Sequence, residues 1–122
     1  MSRHDPRVTL RQIADYGRRV QRLCAGRELA ELLADWQATM AFERALEIIG
    51  EAVKRLPPGL CATRPEIPWR EIAGTRNHLS HGYDSLDYAI LWDAATRDLG
   101  PLLAAVDDLL AELESSPPPG FT

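Results

Sequence analysis

The chain has 122 residues, 45% of them hydrophobic and 26% charged, which is one domain's worth of chain, able to bury a single core and too apolar for a disordered tail. Its net charge of −4 argues against a general nucleic-acid binder. No apolar run approaches the ~20 residues of a membrane span, and Cys24 and Cys61 lack the spacing of a structural zinc site.

The charge is uneven. Residues 1–27 hold seven arginines against Asp5 and Asp15, a local +5 that leaves −9 on the other 95 residues. Such a segment is either a phosphate-facing patch or an arginine-rich helix pairing with its own acidic neighbours. Two cysteines in unrelated contexts suit a reducing cytoplasm. The first six residues carry no apolar signal segment, so a cytoplasmic protein is expected.

Helix formers dominate, and alternating β-branched runs are absent. The spacing of Ile13, Tyr16, Val20 and Leu23 predicts a first helix over Val8–Cys24, stopped by Gly26. A short helix over Glu28–Ala34 follows. Asp35 then caps a long helix from Trp36 to about Leu56. Its core side is expected to be Trp36, Met40, Leu46, Ile49 and Val53, widened by Phe42, Ala45, Ile48 and Ala52. Glu43, Glu47 and Glu51 draw a carboxylate line along it, either solvated or paired with first-helix arginines. Pro57-Pro58-Gly59 ends that helix, and a loop runs to Pro68. A fourth helix opens at Pro68 or Trp69 with Ile72 and Leu79 inward, and Gly82 ends or bends it. Asp84 or Ser85 caps a last long helix whose apolar side runs from Tyr88 to Leu113, kinked or broken at Gly100-Pro101. The sum is an all-α bundle of four main helices plus a short one, a single domain over residues 1–114. The proline-rich tail, 115–122, is expected to be disordered.

One polar stretch, residues 74–84, concentrates Arg76, Asn77, His78, Ser80, His81 and Tyr83 near a helix end. Histidine moves protons near neutral pH, and the planar arginine fork matches a phosphate. These two suffice to cut RNA: the 2′-OH attacks the adjacent phosphorus, a histidine transfers the proton and arginine stabilises the charge on the phosphoryl oxygens. Neither metal nor cofactor is required. The same residues also fit a helix arginine bridging to Glu71 or Ser80, two surface histidines and a packed tyrosine. On an ideal helix Arg76 and His81 lie about 140° apart. Either the helix is distorted near Gly82 or two copies combine their residues across a C2 interface.

Arg76-x4-His81-x-Tyr83 resembles the R-x4-H-x-Y motif of the HepT-like toxins of the HEPN ribonuclease superfamily. Residues 46–54 (LEIIGEAVK), 67–74 (IPWREIAG), 88–92 (YAILW) and 98–102 (DLGPL) resemble further blocks of that family in the same order, so the likeness spans about residues 8–113. It implies an all-α HEPN bundle, active as a dimer that joins two motifs over a cleft; a homodimer or a higher oligomer is the expected assembly. It implies Arg76 and His81 as the catalytic pair, and Asn77 as a polar residue that helps hold the site. It also implies Tyr83 as the tyrosine to which a minimal nucleotidyltransferase antitoxin adds AMP, as in type VII toxin–antitoxin pairs. His78, where relatives carry another basic or polar residue, and Ser80 are expected to support the site or touch RNA. Gly100 departs from the family's leucine-like residue. Three functions follow: a metal-independent endoribonuclease toxin with tRNA a candidate substrate; a catalytically silent module that holds a nucleotidyltransferase; or a plain dimeric scaffold.

Overall fold

Asp5 opens the first helix: its carboxylate accepts the Arg7 N–H at 3.0 Å, and Pro6, which has no N–H to waste, takes the first position. The helix, α1 (Pro6–Cys24), therefore begins two residues before the expected Val8. The computed structural model describes residues 5–75 and 85–115. Gly26, at φ +74°, turns the chain in the left-handed region, and α2 (Leu29–Ala34) starts with a reciprocal Glu28/Glu31 capping box. Asp35 caps α3 (Trp36–Lys54) by accepting from the Ala38 N–H at 3.1 Å. The Thr39 hydroxyl donates to the Leu32 carbonyl at 2.8 Å and ties α2 to α3.

After α3 the expected loop contains a further short helix, α4 (Pro58–Ala62), which Pro58 starts with its fixed φ just as Pro57 stops α3. Next come α5 (Trp69–Ala73), α6 (Ser85–Arg97) and α7 (Leu99–Ser115). The expected last helix is thus two, parted at Asp98. Pro101 offers no N–H to the Arg97 carbonyl, so the ladder lapses there, while the Leu102 N–H bonds the Asp98 carbonyl at 3.1 Å and starts the next run. Residues 116–122 of the expected tail lie outside the described residues.

The core is the meeting of α1, α3 and α7, with α5 laid on α3 and α6 on α1 and α7. Leu10, Ile13, Val20, Phe42, Leu91, Leu102, Val106 and Leu109 are fully buried; each contributes about 1.5–3 kcal/mol of burial. Gly17 lets α1 approach α7 closely, since a Cβ there would stand 2.5 Å from Leu103 Cδ2. The Phe42 and Trp92 rings, 6.2 Å apart, join α3 to α6.

The expected core side of α3 needs correction. Trp36 is 67% and Met40 59% exposed, whereas Ala38, Phe42, Ala45, Leu46, Ile49, Ala52 and Val53 are buried. At about 100° per residue, Trp36 and Met40 stand about 120° and 160° around the helix from Phe42. They share the face of the glutamates, and the apolar arc of α3 is wider than its partners cover.

Candidate functional site

The approach to residues 76–84 is fastened at several points. The Trp69 indole N–H donates to the Arg64 carbonyl at 2.9 Å, and the Arg64 guanidinium bonds Glu112 of α7. Ile72 is buried against α3. The Gly74 N–H closes α5 on the Arg70 carbonyl at 2.9 Å. Thr75 is one of two buried polar residues described; its hydroxyl donates to the Glu71 carbonyl at 3.4 Å. Leu46, Ile49, Leu99 and Leu102 line, with Thr75, a small apolar gap of about 30 Å3. The residue preceding Arg76 is therefore seated between α3 and the α6–α7 joint.

Arg76, Asn77, His78, Ser80, His81 and Tyr83 lie outside the described residues, as do Leu79, Gly82 and Asp84. The chain resumes in α6, and its first described side chain, Tyr88, donates its hydroxyl to Glu43 of α3. That bond, reinforced by partial burial and the nearby negative charge, pushes the phenol up to about 12. Both flanks of the motif thus rest on α3, through Thr75 on one side and Tyr88 on the other. Sequence reasoning singled out neither Thr75 nor the Tyr88–Glu43 pair. Thr75's place directly before Arg76 was the available signal, whereas a bond across 45 residues leaves no local trace.

Between α5 and α6 lies a cleft of about 500 Å3, with Thr75, Glu71 and Asp98 among its walls and Ile90 at its rim. The Arg97–Asp93 ion pair also lines it, and the guanidinium holds the Asp93 carboxyl below its usual range, chiefly by hydrogen bonding.

The arginine-rich segment is less basic than its composition. Arg7 pairs with Asp5, Arg11 with Glu114, Arg18 with Asp107, Arg19 with Asp15 and Arg27 with Asp35. The long-range partners come from α7, not from Glu43, which takes Tyr88, or Glu47, which takes Arg44. Arg22 is exposed and has no ion pair among the described residues. Tyr16 is half-buried beneath the Arg19 guanidinium, 4.8 Å from its ring centre. Cys24 and Cys61 are half-buried, and burial pushes both thiols up, away from nucleophilic thiolate. No described helix is long and apolar enough to cross a membrane. No cluster of three or more potential metal ligands occurs among the described residues.

The family description "Ribonuclease HepT-like" matches residues 13–109. The chain is 39% identical over 85 residues to a protein of Caldanaerobacter subterraneus assigned as an RNase, a span covering 70% of this chain and 76% of that one. It is 40% identical over 79 residues to a protein of Thermococcus cleftensis assigned as ribonuclease HepT, covering 65% and 72%. Over 114 residues it is 29% identical to a Methanocaldococcus jannaschii protein assigned as an RNase, covering 93% and 94%. No solved structure matches.

Proposed function

The chain belongs to the HepT-like ribonuclease family, and from that premise we propose that it is a metal-independent endoribonuclease toxin paired with a minimal nucleotidyltransferase. The observation that carries the reading is the intact Arg76-x4-His81-x-Tyr83 run inside the matched span of residues 13–109.

In this reading the substrate's 2′-OH attacks the adjacent phosphorus and the P–O5′ bond breaks, giving a 2′,3′-cyclic phosphate and a 5′-OH. His81 moves the proton and Arg76 neutralises the charge on the phosphoryl oxygens. Asn77, His78 and Ser80 hold the site or touch RNA. Two copies in a C2 dimer bring their Arg76/His81 sets to one cleft, which answers the angular separation of the pair on one helix. The anchoring of both flanks of the motif on α3 supports a site held to a fixed geometry.

Silencing follows from AMP added to Tyr83. The new phosphate pairs with Arg76, raises the pKa of His81 and fills the place of an RNA phosphate. Tyr83 is favoured over the other two tyrosines because Tyr16 is packed beneath Arg19 and Tyr88 is bonded to Glu43.

The test is cleavage of RNA by purified wild type, His81→Ala and Arg76→Ala, with mass analysis of the product ends. We expect cyclic phosphate ends from the wild type. Each variant should lose activity by a factor of roughly 100 or more with its helical circular dichroism unchanged. Full cleavage by a folded His81→Ala protein overturns the assignment and turns attention to His78. In a parallel incubation with the partner and ATP, the wild type should gain one AMP and lose activity, while Tyr83→Phe keeps its activity and gains none. A wild type that binds the partner but cuts no RNA supports the silent module instead.

A further inference from the structure

The α5–α6 cleft has a composition that suits neither a phosphate nor a simple apolar ligand. It begins at Thr75, the residue bonded to Arg76 along the chain. Its volume of about 500 Å3 lies within the range of small-molecule sites. The apolar part is Ile72 and Leu91 within and Ile90 at the rim, and Ile90 is 47% exposed. The polar part is acceptor-rich. Glu71 of α5 and Asp98 of the α6–α7 joint make no ion pair or side-chain hydrogen bond among the described residues. The cleft's cation, Arg97, is already bonded to Asp93.

A carboxylate accepts hydrogen bonds and donates none. An RNA phosphate would meet an excess of like charge here, Glu71, Asp93 and Asp98 against Arg97 in the lining, so the backbone is the wrong occupant. A flat, neutral group with apolar faces and N–H donors along one edge fits both parts of the lining, and an unstacked nucleobase is such a group. We propose that the α5–α6 cleft is a base-binding subsite of the RNA substrate, in which Glu71 and Asp98 select a base by its N–H donors, guanine foremost. This rests on the reading of the chain as an RNA-cleaving enzyme.

Guanine leads because N1–H and the N2 amino group stand side by side and can meet both oxygens of one carboxylate. Cytosine and adenine offer a single amino group beside an acceptor. Uracil offers one N–H flanked by two carbonyls and fits worst. A bidentate match of this kind discriminates by about ten- to a hundredfold.

The experiment separates base selection from cleavage. Short single-stranded oligonucleotides, 2′-O-methylated so that they cannot be cut and differing at one base, are titrated against wild type, His81→Ala and the Glu71→Gln/Asp98→Asn double variant. Both replacements in the double variant keep size and shape at exposed or half-exposed positions, and circular dichroism checks the fold. Random-sequence RNA is cut in parallel and its ends are mapped. The wild type should bind the guanine oligonucleotide about tenfold or more tightly than the uracil one, and its cleavage should cluster beside guanine. His81→Ala should keep the binding preference. The double variant should lose the preference and cut RNA, if more slowly, without base bias. Equal binding of all four bases by the wild type, or a guanine preference that survives in the double variant, overturns the subsite. Guanine-selective binding without cleavage would sink the enzymatic reading and leave the subsite standing. Cleavage without base preference would do the reverse.

Discussion

Along α1, Arg11 reaches Glu114 and Arg18 reaches Asp107, so the basic helix is stitched to α7 by charge as well as by Leu10, Ile13 and Val20. At the α5–α6 end the pattern reverses. Glu71 and Asp98 make no ion pair among the described residues, Ile90 stands half out of the fold, and the surface is hollow. The comparison teaches that charge density along the sequence is a poor guide to where unpaired charge stands in the fold. Seven arginines in 27 residues look like an RNA patch, yet five of them are committed to carboxylates of the same chain. Glu71 and Asp98, which have no ion pair among the described residues, line a cavity with Thr75 instead.

The sharpest way to break the packed region is Phe42→Ala. Phe42 is fully buried against Trp92, and its loss should cost about 3–5 kcal/mol in urea unfolding. Trp36→Ala on the same helix should change stability by about 0.5 kcal/mol or less; a large loss there would restore the core side expected from the sequence. Gly17→Val comes next. The added methyls meet Leu103, and the overpacking should cost about 1–3 kcal/mol in the same measurement.

Smaller effects sharpen the contrast in charge. Arg11→Ala with Arg18→Ala should cost about 1 kcal/mol or less per pair, because both are exposed ion pairs screened by water. RNA affinity should keep the same salt dependence. A slope reduced by about 0.7 per arginine would show instead that α1 holds phosphates. The smallest effect is Tyr88→Phe. The folded protein raises this phenol to about 12 from its usual 10. The Tyr88–Glu43 bond therefore contributes fully below about pH 10 and fades as the pH climbs toward 12. In an ultraviolet titration of the tyrosines, the highest ionisation step should vanish in Tyr88→Phe; a step that persists near 12 would place the shift on another tyrosine.

Much of the fold was legible because its punctuation is local. Asp35 caps α3, Pro57 stops it, and Pro101 breaks the last helix, each through an N–H supplied or missing within a few residues. The core side of α3 was harder. Trp36, Met40, Phe42 and Ile49 spread over more of the helix than its partners cover, and only the approach of α1, α5 and α6 chooses among them. The short α4 leaves no such mark, because five residues carry too little periodicity to announce a helix. At the site the order is inverted. The sequence names Arg76 and His81 as candidates through their chemistry and the family motif, and both lie outside the described residues, while the contacts of Thr75, Glu43 and Tyr88 are tertiary and visible only in three dimensions.

The missing N–H of Pro101 also bears on how the molecule opens. An uninterrupted helix from Ser85 to Ser115 would transmit fraying from one end to the other through its hydrogen-bond ladder. With the ladder lapsed at Arg97, α6 is a separate cooperative unit, secured mainly by Leu91, the Phe42–Trp92 contact and the Tyr88–Glu43 bond. Its backbone amides should therefore exchange with deuterium through an opening smaller than global unfolding, while those of α7 beside Val106 and Leu109 wait for the whole bundle to come apart.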